Sequence, residues 1–310
     1  MRLQFIESLI SLSEARDDTF LMVGDLGFGV VEKFANRFPD RFLNAGVAEQ
    51  NMLGTAAGIA STGNLVFVYS IANFPSLRAL EQIRNDICYH GLPVVVVSVG
   101  AGLGYGTLGY SHHAVEDISV MRSIPGMTVY SPADDIEVQA CLDDIAVHRM
   151  PSYLRLGKGG EPTLHADPLL SRVTPVRLSG SSSSNVVLSH GAIGHQVAQA
   201  LDSVREKLRI EISHYSVPRL GPKGLEGTGI LHANRILTVE EHTRRGGFGS
   251  YVLEHLSDAD QHIPSKVVGL RETHTKEVGD RDYLLGLNGL DPSLLAQQIE
   301  AYFGLRDGRS

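Results

Sequence analysis

Five short runs of apolar residues, rich in valine and aromatic side chains, limit the folds that this chain can adopt. They have the sequences TFLMVGD, NLVFVYS, LPVVVVSV, MTVYSP and PSYLRL. Amphipathic stretches separate them, near residues 29–37, 46–62, 77–89, 115–122 and 134–148. Because the runs are continuous rather than alternating, both faces of each strand are expected to be buried. The pattern predicts an α/β domain with a doubly wound, mostly parallel sheet.

A change of composition near residue 160 predicts a second part of the chain. The segment GEPTLHADP and the run SGSSSS contain few large apolar residues, which is typical of a connecting segment. After them, four more runs indicate strands: NVVLSHG, RIEISHYS, RILTVEE and KVVGL. A chain of 310 residues is long enough for two domains. We expect a first domain over 1–160, a linker over 161–184 and a smaller α/β domain over 185–310.

Charge and composition argue against several classes of function. The formal net charge is -8 and lysine and arginine form no basic stripe, so no nucleic-acid partner is predicted. No window approaches about 18 uninterrupted apolar residues, so no membrane span is predicted. Glu7 interrupts the apolar N-terminal run, which has helical spacing and is not typical of a signal peptide. Cys88 and Cys141 lie far apart in apolar surroundings, so reduced thiols and a cytoplasmic location are expected.

One acidic side chain stands in a helical segment that is otherwise built of small and apolar residues. The segment is FLNAGVAEQNMLGTAAGIA, residues 42–60, and the acid is Glu49. Its neighbours Ala48, Met52 and Leu53 predict that the carboxylate is shielded from water and needs a hydrogen-bonding partner. The alternative is an ordinary core helix with Glu49 on its solvated face. Glycines and alanines at spacings of three and four also predict a close helix–helix contact, including one between subunits.

Two loops that follow predicted strands carry aromatic and histidine side chains. Tyr69 ends one strand and Phe74 stands in the next loop, where parallel α/β sheets bind ligands; a hydrophobic plug is the alternative. The charged residues after Phe74, starting with Arg78, are expected on a solvated helix face. The second loop, VGAGLGYGTLGYSHHAVED, is long and glycine-rich, which is typical of a functional loop.

The adjacent residues His112 and His113 in this second loop make a poor chelating pair, so no metal site is predicted there. A histidine that donates a ring N–H to a substrate oxygen is the favoured interpretation. Arg155 follows another strand and suits an anion such as a sugar phosphate, with a surface salt bridge as the alternative.

Taken together, these motifs resemble the pyrimidine-binding domain of transketolases. The resemblance is carried by NAGVAEQNM…AAGIASTG, VYSIANF…R and GYGTLGYSHHAVEDISVMRSIPGMTVYSPADDIE. The later TVEEH…GGFGS is similar to the C-terminal domain of the same family. The SHH run and EQIRND resemble the C-terminal sections of split, two-gene transketolases in particular. 1-Deoxyxylulose-5-phosphate synthases and the beta subunits of 2-oxo acid dehydrogenases share this architecture.

The resemblance implies that the chain binds the pyrimidine end of thiamine diphosphate. It implies that Glu49 hydrogen-bonds N1′ of the aminopyrimidine ring and stabilises the 4′-imino tautomer, whose nitrogen serves as an internal base. It further implies that Phe74 stacks on this ring, with Tyr69 as the alternative. Asp25 and Leu26, in VGDLG, match the loop that borders the ring.

The resemblance also implies contacts with a phosphorylated sugar. His112 matches a histidine that contacts the donor sugar, and Asp117 lies near it in the sequence. Arg2 and Arg155 match arginines that hold the substrate phosphate. Gly29 stands where the family often has a serine beside those arginines, which is a departure from the pattern.

The part of the family that binds the diphosphate and Mg²⁺ has no counterpart in the sequence. The family uses G-D-G followed by an asparagine, a set of oxygen ligands that suits Mg²⁺. GDLG at 24–27 followed by Asn51 has a similar spacing, but Leu26 replaces the last glycine and Asn51 shares a helix with Glu49. We therefore expect no metal ligands here. Mg²⁺ is expected on an N-terminal partner subunit that carries the diphosphate-binding domain.

The expected protein is the C-terminal subunit of a split transketolase that moves a two-carbon ketol unit between sugar phosphates. Its active site is expected between chains, in a two-plus-two assembly, with self-association across the Glu49 helix. One alternative is a decarboxylating relative that uses pyruvate. The other is a non-catalytic scaffold subunit.

Overall fold

The computed structural model of the protein describes residues 1–166, 173–181, 184–222, 224–226 and 228–304. Within these ranges the strands form a seven-stranded and a five-stranded sheet. The strands are β1 (Thr19–Val23), β2 (Phe42–Asn44), β3 (Leu65–Ile71), β4 (Val94–Val99), β5 (Thr128–Tyr130), β6 (Ser152–Leu156), β7 (Val176–Ser179), β8 (Asn185–His190), β9 (Ser213–Ser216), β10 (Arg219–Leu220), β11 (Arg235–Thr243) and β12 (Ser265–Leu270). The first sheet has the order β10-β5-β6-β4-β3-β1-β2, and the second has the order β12-β11-β8-β9-β7.

Helices cover both faces of the first sheet. The α-helices are α1 (Arg2–Ala15), α2 (Glu32–Arg37), α3 (Glu49–Ser61), α4 (Leu80–Gln82), α5 (Asp117–Arg122), α6 (Asp135–His148), α7 (Gly194–Leu208), α8 (Phe248–Asp258), α9 (Arg281–Leu287) and α10 (Pro292–Phe303). One apolar cluster joins α1 and α6 to one face, and a second joins α3 and α5 to the other. Among the described residues, no helix has the length and apolar character that a membrane crossing requires.

The first sheet confirms the fold class that the sequence predicts. Each of the five apolar runs contains a strand, and β1 to β6 pair in parallel with their neighbours. The side chains of β4 are buried without interruption, because helices lie on both sides of it. The short strand β2 carries no apolar run, since it lies at the edge of the sheet and its residues are partly exposed.

The second sheet begins earlier in the chain than the sequence predicts. Strand β7 falls within the predicted linker 161–184 and pairs antiparallel with β9 at the edge of this sheet. Strand β10 lies within the predicted second domain but pairs antiparallel with β5 of the first sheet. The two α/β parts are therefore joined through shared main-chain hydrogen bonds as well as through side chains.

A buried aspartate fixes the start of the linker to the first sheet. The Asp134 carboxylate caps α6 by accepting a bond from Glu137 N, and it accepts further bonds from Leu164 N, His165 N and His165 Nδ1. Although burial opposes ionisation, these hydrogen bonds hold the pKa of Asp134 at about 2. The linker is therefore anchored at this point rather than loosely attached.

We expect Asp134→Asn to lower the free energy of unfolding by about 2 kcal/mol at pH 7. Because the folded-state pKa lies below the unfolded value, this contribution is complete above the unfolded pKa and is lost as the pH falls toward 2. Urea unfolding at pH 7 and pH 3 measures it, with the exposed Asp40→Asn as the control. A loss equally large at both pH values would contradict the assignment.

Candidate active site

The predicted cofactor residues lie at one edge of the first sheet. Strands β1, β3, β4 and β6 run parallel, so the loops that follow them emerge at the same edge. Asp25 follows β1, Phe74 follows β3, and the long loop after β4 leads to His112. Residues that are distant in the sequence therefore meet at the carboxyl ends of the strands.

Glu49 is the first residue of α3, and its side chain is only 2% exposed. The carboxylate lies at the positive end of the helix dipole, which favours an acidic residue there. Its Oε2 atom accepts a hydrogen bond from Arg78 Nη1 at 2.8 Å. The structure thus contains the shielded carboxylate and the partner that the sequence predicts. Its role toward a cofactor stays a prediction.

Phe74 lies beside this pair, in a π-helical turn that spans Phe74–Arg78. Such turns are rare in proteins overall, but those that occur are often at functional sites. The guanidinium carbon of Arg78 is 5.0 Å from the centroid of the Phe74 ring, and the His112 ring meets Phe74 edge-on at 5.2 Å. Asn73 Nδ2 donates to Ser111 O at 2.5 Å and ties the two loops together. A carboxylate, an aromatic face and an imidazole are thus placed around one point.

Tyr69 does not share this site. Its side chain is buried in the core on the other face of the sheet, where it stacks on Phe5 at 5.9 Å. A side chain at Gly27 would come within 3.0 Å of the Tyr69 ring, and burial raises the pKa of the tyrosine. The ring therefore has no face free for a ligand, and the structure favours Phe74 as the stacking surface.

The loop of Asp25 and Leu26 borders the same edge. Asp25 adopts a left-handed conformation, with φ of 55°, and exchanges hydrogen bonds with Asn44 through its main-chain N–H and its carboxylate. Asn44 Oδ1 also accepts from Gly46 N, so the loops before α2 and α3 are fixed to each other. Leu26 is half-buried and packs against the core under β1. Asp25 is exposed.

Asp117 and Arg155 lie inside the protein, whereas the sequence predicts that they contact the substrate. Arg155 is 2% exposed; its Nε donates to Asp117 Oδ2 at 2.8 Å, and its Nη2 donates to Ala114 O and Glu241 O. Asp117 also accepts a hydrogen bond from Tyr153. The pair joins the two sheets and is not available to a sugar phosphate in this structure.

The contact with Glu241 explains this burial. In the second sheet the strand order reverses between β8 and β11, and ligands commonly bind at the carboxyl ends of strands at such a point. Here the first domain fills that place, because Arg155 reaches Glu241 O and Thr243 N donates to Val115 O. Burial also raises the pKa of the neighbouring Glu240 to about 7, against the opposing effect of main-chain N–H bonds from α8.

An exposed cation lies in the loop after β6. Lys158, two residues after β6, is exposed, and its Nζ is 5.3 Å from the centroid of the Tyr105 ring. Arg2 lies against the same loop, since a Cβ at Gly159 would be 3.7 Å from Arg2 Nε. Lys158 is not among the site residues predicted from the sequence, although its place in LRLGKGG after a strand is a usable signal. Arg78 is predicted on a solvated face, and its side chain is 52% exposed although its guanidinium bonds Glu49.

The described side chains at this edge of the sheet do not form a group of metal ligands. Within the ranges that the structure describes, no group of three or more His, Cys, Asp or Glu side chains could hold a metal ion. His113 is buried and its ring meets Tyr110 edge-on at 6.0 Å, and burial lowers the pKa of His113. The chemistry available from this chain is therefore that of a carboxylate, an imidazole, an aromatic face and nearby cations.

A shielded carboxylate is thus linked through Arg78 to an aromatic face, at the carboxyl edge of a parallel sheet. The family "Transketolase, pyrimidine binding domain" matches residues 1–161. The chain belongs to this transketolase family, and over its whole length it corresponds to the C-terminal sections of split transketolases.

Full-length relatives support this correspondence. A protein of Methanocaldococcus jannaschii described as a transketolase C-terminal section is 32% identical, covering 96% of this chain and 95% of the relative. An apulose-4-phosphate transketolase subunit from Phocaeicola vulgatus is 29% identical, with 94% and 93% covered. A solved structure of a split gene transketolase, described as an inactive beta4 tetramer, matches with a TM-score of 0.83 at 28% identity over 97% of both chains.

Relatives among the deoxyxylulose-phosphate synthases match this chain over less than half of their own length. The 1-deoxy-D-xylulose-5-phosphate synthase of Syntrophus aciditrophicus is 33% identical over 89% of this chain, but the match spans only 42% of that enzyme. By contrast, the transketolase C-terminal section, the apulose-4-phosphate transketolase subunit and the split gene transketolase each match over more than 90% of both chains.

Proposed function

We propose that this chain is the C-terminal subunit of a split transketolase that transfers a two-carbon ketol unit between sugar phosphates. The observation that carries the proposal is the Glu49 carboxylate, which is withdrawn from water and is linked through Arg78 to the face of Phe74. An N-terminal partner subunit would bind the diphosphate and Mg²⁺. Together the two chains would enclose one active site. A cytoplasmic location stays a prediction of the sequence.

The residues present suit the pyrimidine end of thiamine diphosphate. A planar, cationic guanidinium already lies between the Glu49 carboxylate and the Phe74 ring, so a planar nitrogen heterocycle is chemically suited to this place. When bound, thiamine diphosphate supplies the nucleophilic carbon and the electron sink. Glu49 would hold the proton at N1′, Phe74 would fix the plane of the ring, and His112 would donate to a polar group of the bound molecules.

Exposed apolar side chains next to the site support a partner chain. Phe28 is 76% exposed and Val47 is 73% exposed, and both lie in the loops that border Asp25 and Gly46. Single exposed apolar side chains are common, so these two support a partner surface only together with their place beside the candidate site. We place the diphosphate-binding subunit on this surface.

The outer face of α3 supports self-association. Gly58 is exposed, and a Cβ there would meet no atom within 4 Å, so no contact inside the chain requires glycine. Glycine within a helix costs about 1 kcal/mol relative to alanine. A close approach by a second copy of this chain would account for that cost, as part of a two-plus-two assembly.

Reconstitution with the N-terminal subunit tests the function. The assembled pair, supplied with thiamine diphosphate and Mg²⁺, is expected to transfer a ketol unit from xylulose 5-phosphate to an aldose phosphate, whereas either chain alone is inactive. Release of carbon dioxide from pyruvate without ketol transfer would favour the decarboxylating alternative. A complex that forms but binds no thiamine diphosphate would favour the scaffold alternative.

We expect Lys158→Met to raise the KM for the phosphorylated donor by about 10- to 100-fold, the value of a charged hydrogen bond, while kcat changes little. We infer that Lys158 and Arg2 are the cations that hold the substrate phosphate, because both lie at the loop after β6. Lys33→Met removes an exposed lysine that pairs with Glu7 and serves as the control. An unchanged KM would remove Lys158 from the substrate site.

A further inference from the structure

Arg78 occupies the space between the two groups to which the proposed function assigns the aminopyrimidine ring. Its Nη1 donates to Glu49 Oε2 at 2.8 Å, and its guanidinium carbon is 5.0 Å from the Phe74 ring centroid. The π-helical turn that begins at Phe74 ends at Arg78, so both side chains leave the same short segment. The guanidinium is planar, carries N–H donors and lies against the aromatic ring, as an aminopyrimidine would.

The burial of the two partners differs strongly. The Glu49 side chain is 2% exposed and is fixed at the start of a helix, whereas the Arg78 side chain is 52% exposed. A buried carboxylate without a partner is costly, so some group must satisfy Glu49 while no cofactor is bound. Arg78 can return its head to water at small cost, because half of its side chain is already solvated. The arginine is therefore the member of the pair that can move.

We propose that Arg78 is a displaceable stand-in for the aminopyrimidine ring. It satisfies Glu49 and lies on Phe74 before the cofactor arrives, and it swings into solvent when the ring takes its place. The inference rests on the proposed function and adds a regulatory element to it. Because the binding-competent state requires Arg78 to be displaced, the apparent Kd for thiamine diphosphate exceeds the intrinsic value by the inverse of the open fraction.

The alternative role for Arg78 predicts the opposite sign. If Arg78 stays on Glu49 and orients the carboxylate while the ring binds elsewhere on it, removing the guanidinium weakens cofactor binding. The sign of the change in cofactor affinity therefore separates a stand-in from a permanent positioning residue. A general structural defect would also weaken binding, so only the stand-in predicts tighter binding.

The first measurement is the affinity of the assembled pair for thiamine diphosphate with Mg²⁺, by titration calorimetry. We expect Arg78→Met to tighten binding by about two- to fivefold, because a half-exposed partner of this kind contributes modestly to the closed state. Arg78→Lys keeps a charge but not the planar fork, and a smaller tightening is expected. Arg84→Met is the control, since Arg84 is exposed and bonds Asn85. Weaker or unchanged binding by Arg78→Met would overturn the proposal.

The second measurement uses the full chain alone, without cofactor. Urea unfolding of Glu49→Gln, Arg78→Met and the double variant forms a thermodynamic cycle. We expect Arg78→Met to destabilise the chain more when Glu49 is present than when Gln replaces it. Additive effects would overturn the pairing and with it the stand-in. A wild-type pair that binds no thiamine diphosphate would instead overturn the proposed function, whatever the outcome of the cycle.

Discussion

Replacement of Glu49 by glutamine is expected to slow hydrogen–deuterium exchange at thiazolium C2 of bound thiamine diphosphate by about 10²–10⁴. Glutamine keeps the size of the side chain and can still accept a hydrogen bond from Arg78. It cannot hold the proton at N1′ as a carboxylate does. NMR of the quenched, reconstituted pair measures the exchange, at cofactor concentrations that saturate both proteins. Because the cofactor is saturating, slower exchange reports impaired proton transfer and not a lower occupancy of the cofactor site.

The control for this experiment is Glu81→Gln, which changes an exposed acid in the neighbouring helical segment. Its exchange rate is expected to match that of the unaltered pair. Exchange at the unaltered rate in Glu49→Gln would remove Glu49 from the mechanism. It would also leave the burial of this carboxylate without a functional explanation.

Replacement of Arg155 by methionine is expected to lower the free energy of unfolding by about 3–5 kcal/mol, as for other buried charge pairs that lose one partner. The change leaves the Asp117 carboxylate with Tyr153 alone and deprives two main-chain carbonyl groups of a donor. Urea unfolding of the full chain measures the loss. The double variant with Asp117→Asn is expected to be more stable than Arg155→Met alone, because no buried charge then remains unpaired.

Arg245→Met provides the matched control for Arg155. Arg245 is 84% exposed and pairs with Glu272 on the surface, so its removal is expected to cost less than about 1 kcal/mol. If Arg155→Met destabilised the chain no more than Arg245→Met does, the sequence prediction that Arg155 contacts the substrate would stand. If Arg155→Met unfolds like the unaltered chain but raises the KM for the sugar phosphate, the guanidinium reaches substrate in solution.

Local patterns in the sequence were sufficient for the fold, because burial on both faces of a strand leaves a continuous apolar run. The run LPVVVVSV contains β4, and the other four runs of the first domain contain strands of the same sheet. Three strands leave no such trace. β2 has three partly exposed residues, β7 has no buried residue and lies in the predicted linker, and β10 has two residues, so all three depend on neighbours that are distant in the sequence.

The burial of a candidate site residue could be predicted where its neighbours in the sequence are also the residues that surround it in the fold. Glu49 is such a case, since the apolar residues around it belong to the same segment. Arg155 is not, because an arginine near the end of a strand has the same local sequence whether it faces solvent or the interior. Its burial is set by Glu241, 86 residues further along the chain. Arg78 was predicted on a solvated face and its side chain is 52% exposed, but its hydrogen bond to Glu49, a residue 29 positions away, leaves no local signal in the sequence.

Strand β10 has a consequence for any attempt to separate the two halves of this chain. Its two residues cover the outer side of β5, which otherwise would present free main-chain N–H and C=O groups to solvent. Unpaired edge strands can pair with other chains and promote aggregation. A shortened polypeptide that stops at residue 184 would lose this cover and is expected to precipitate or form filaments. The part of the chain after residue 184 thus protects the edge of the first sheet from pairing with other molecules.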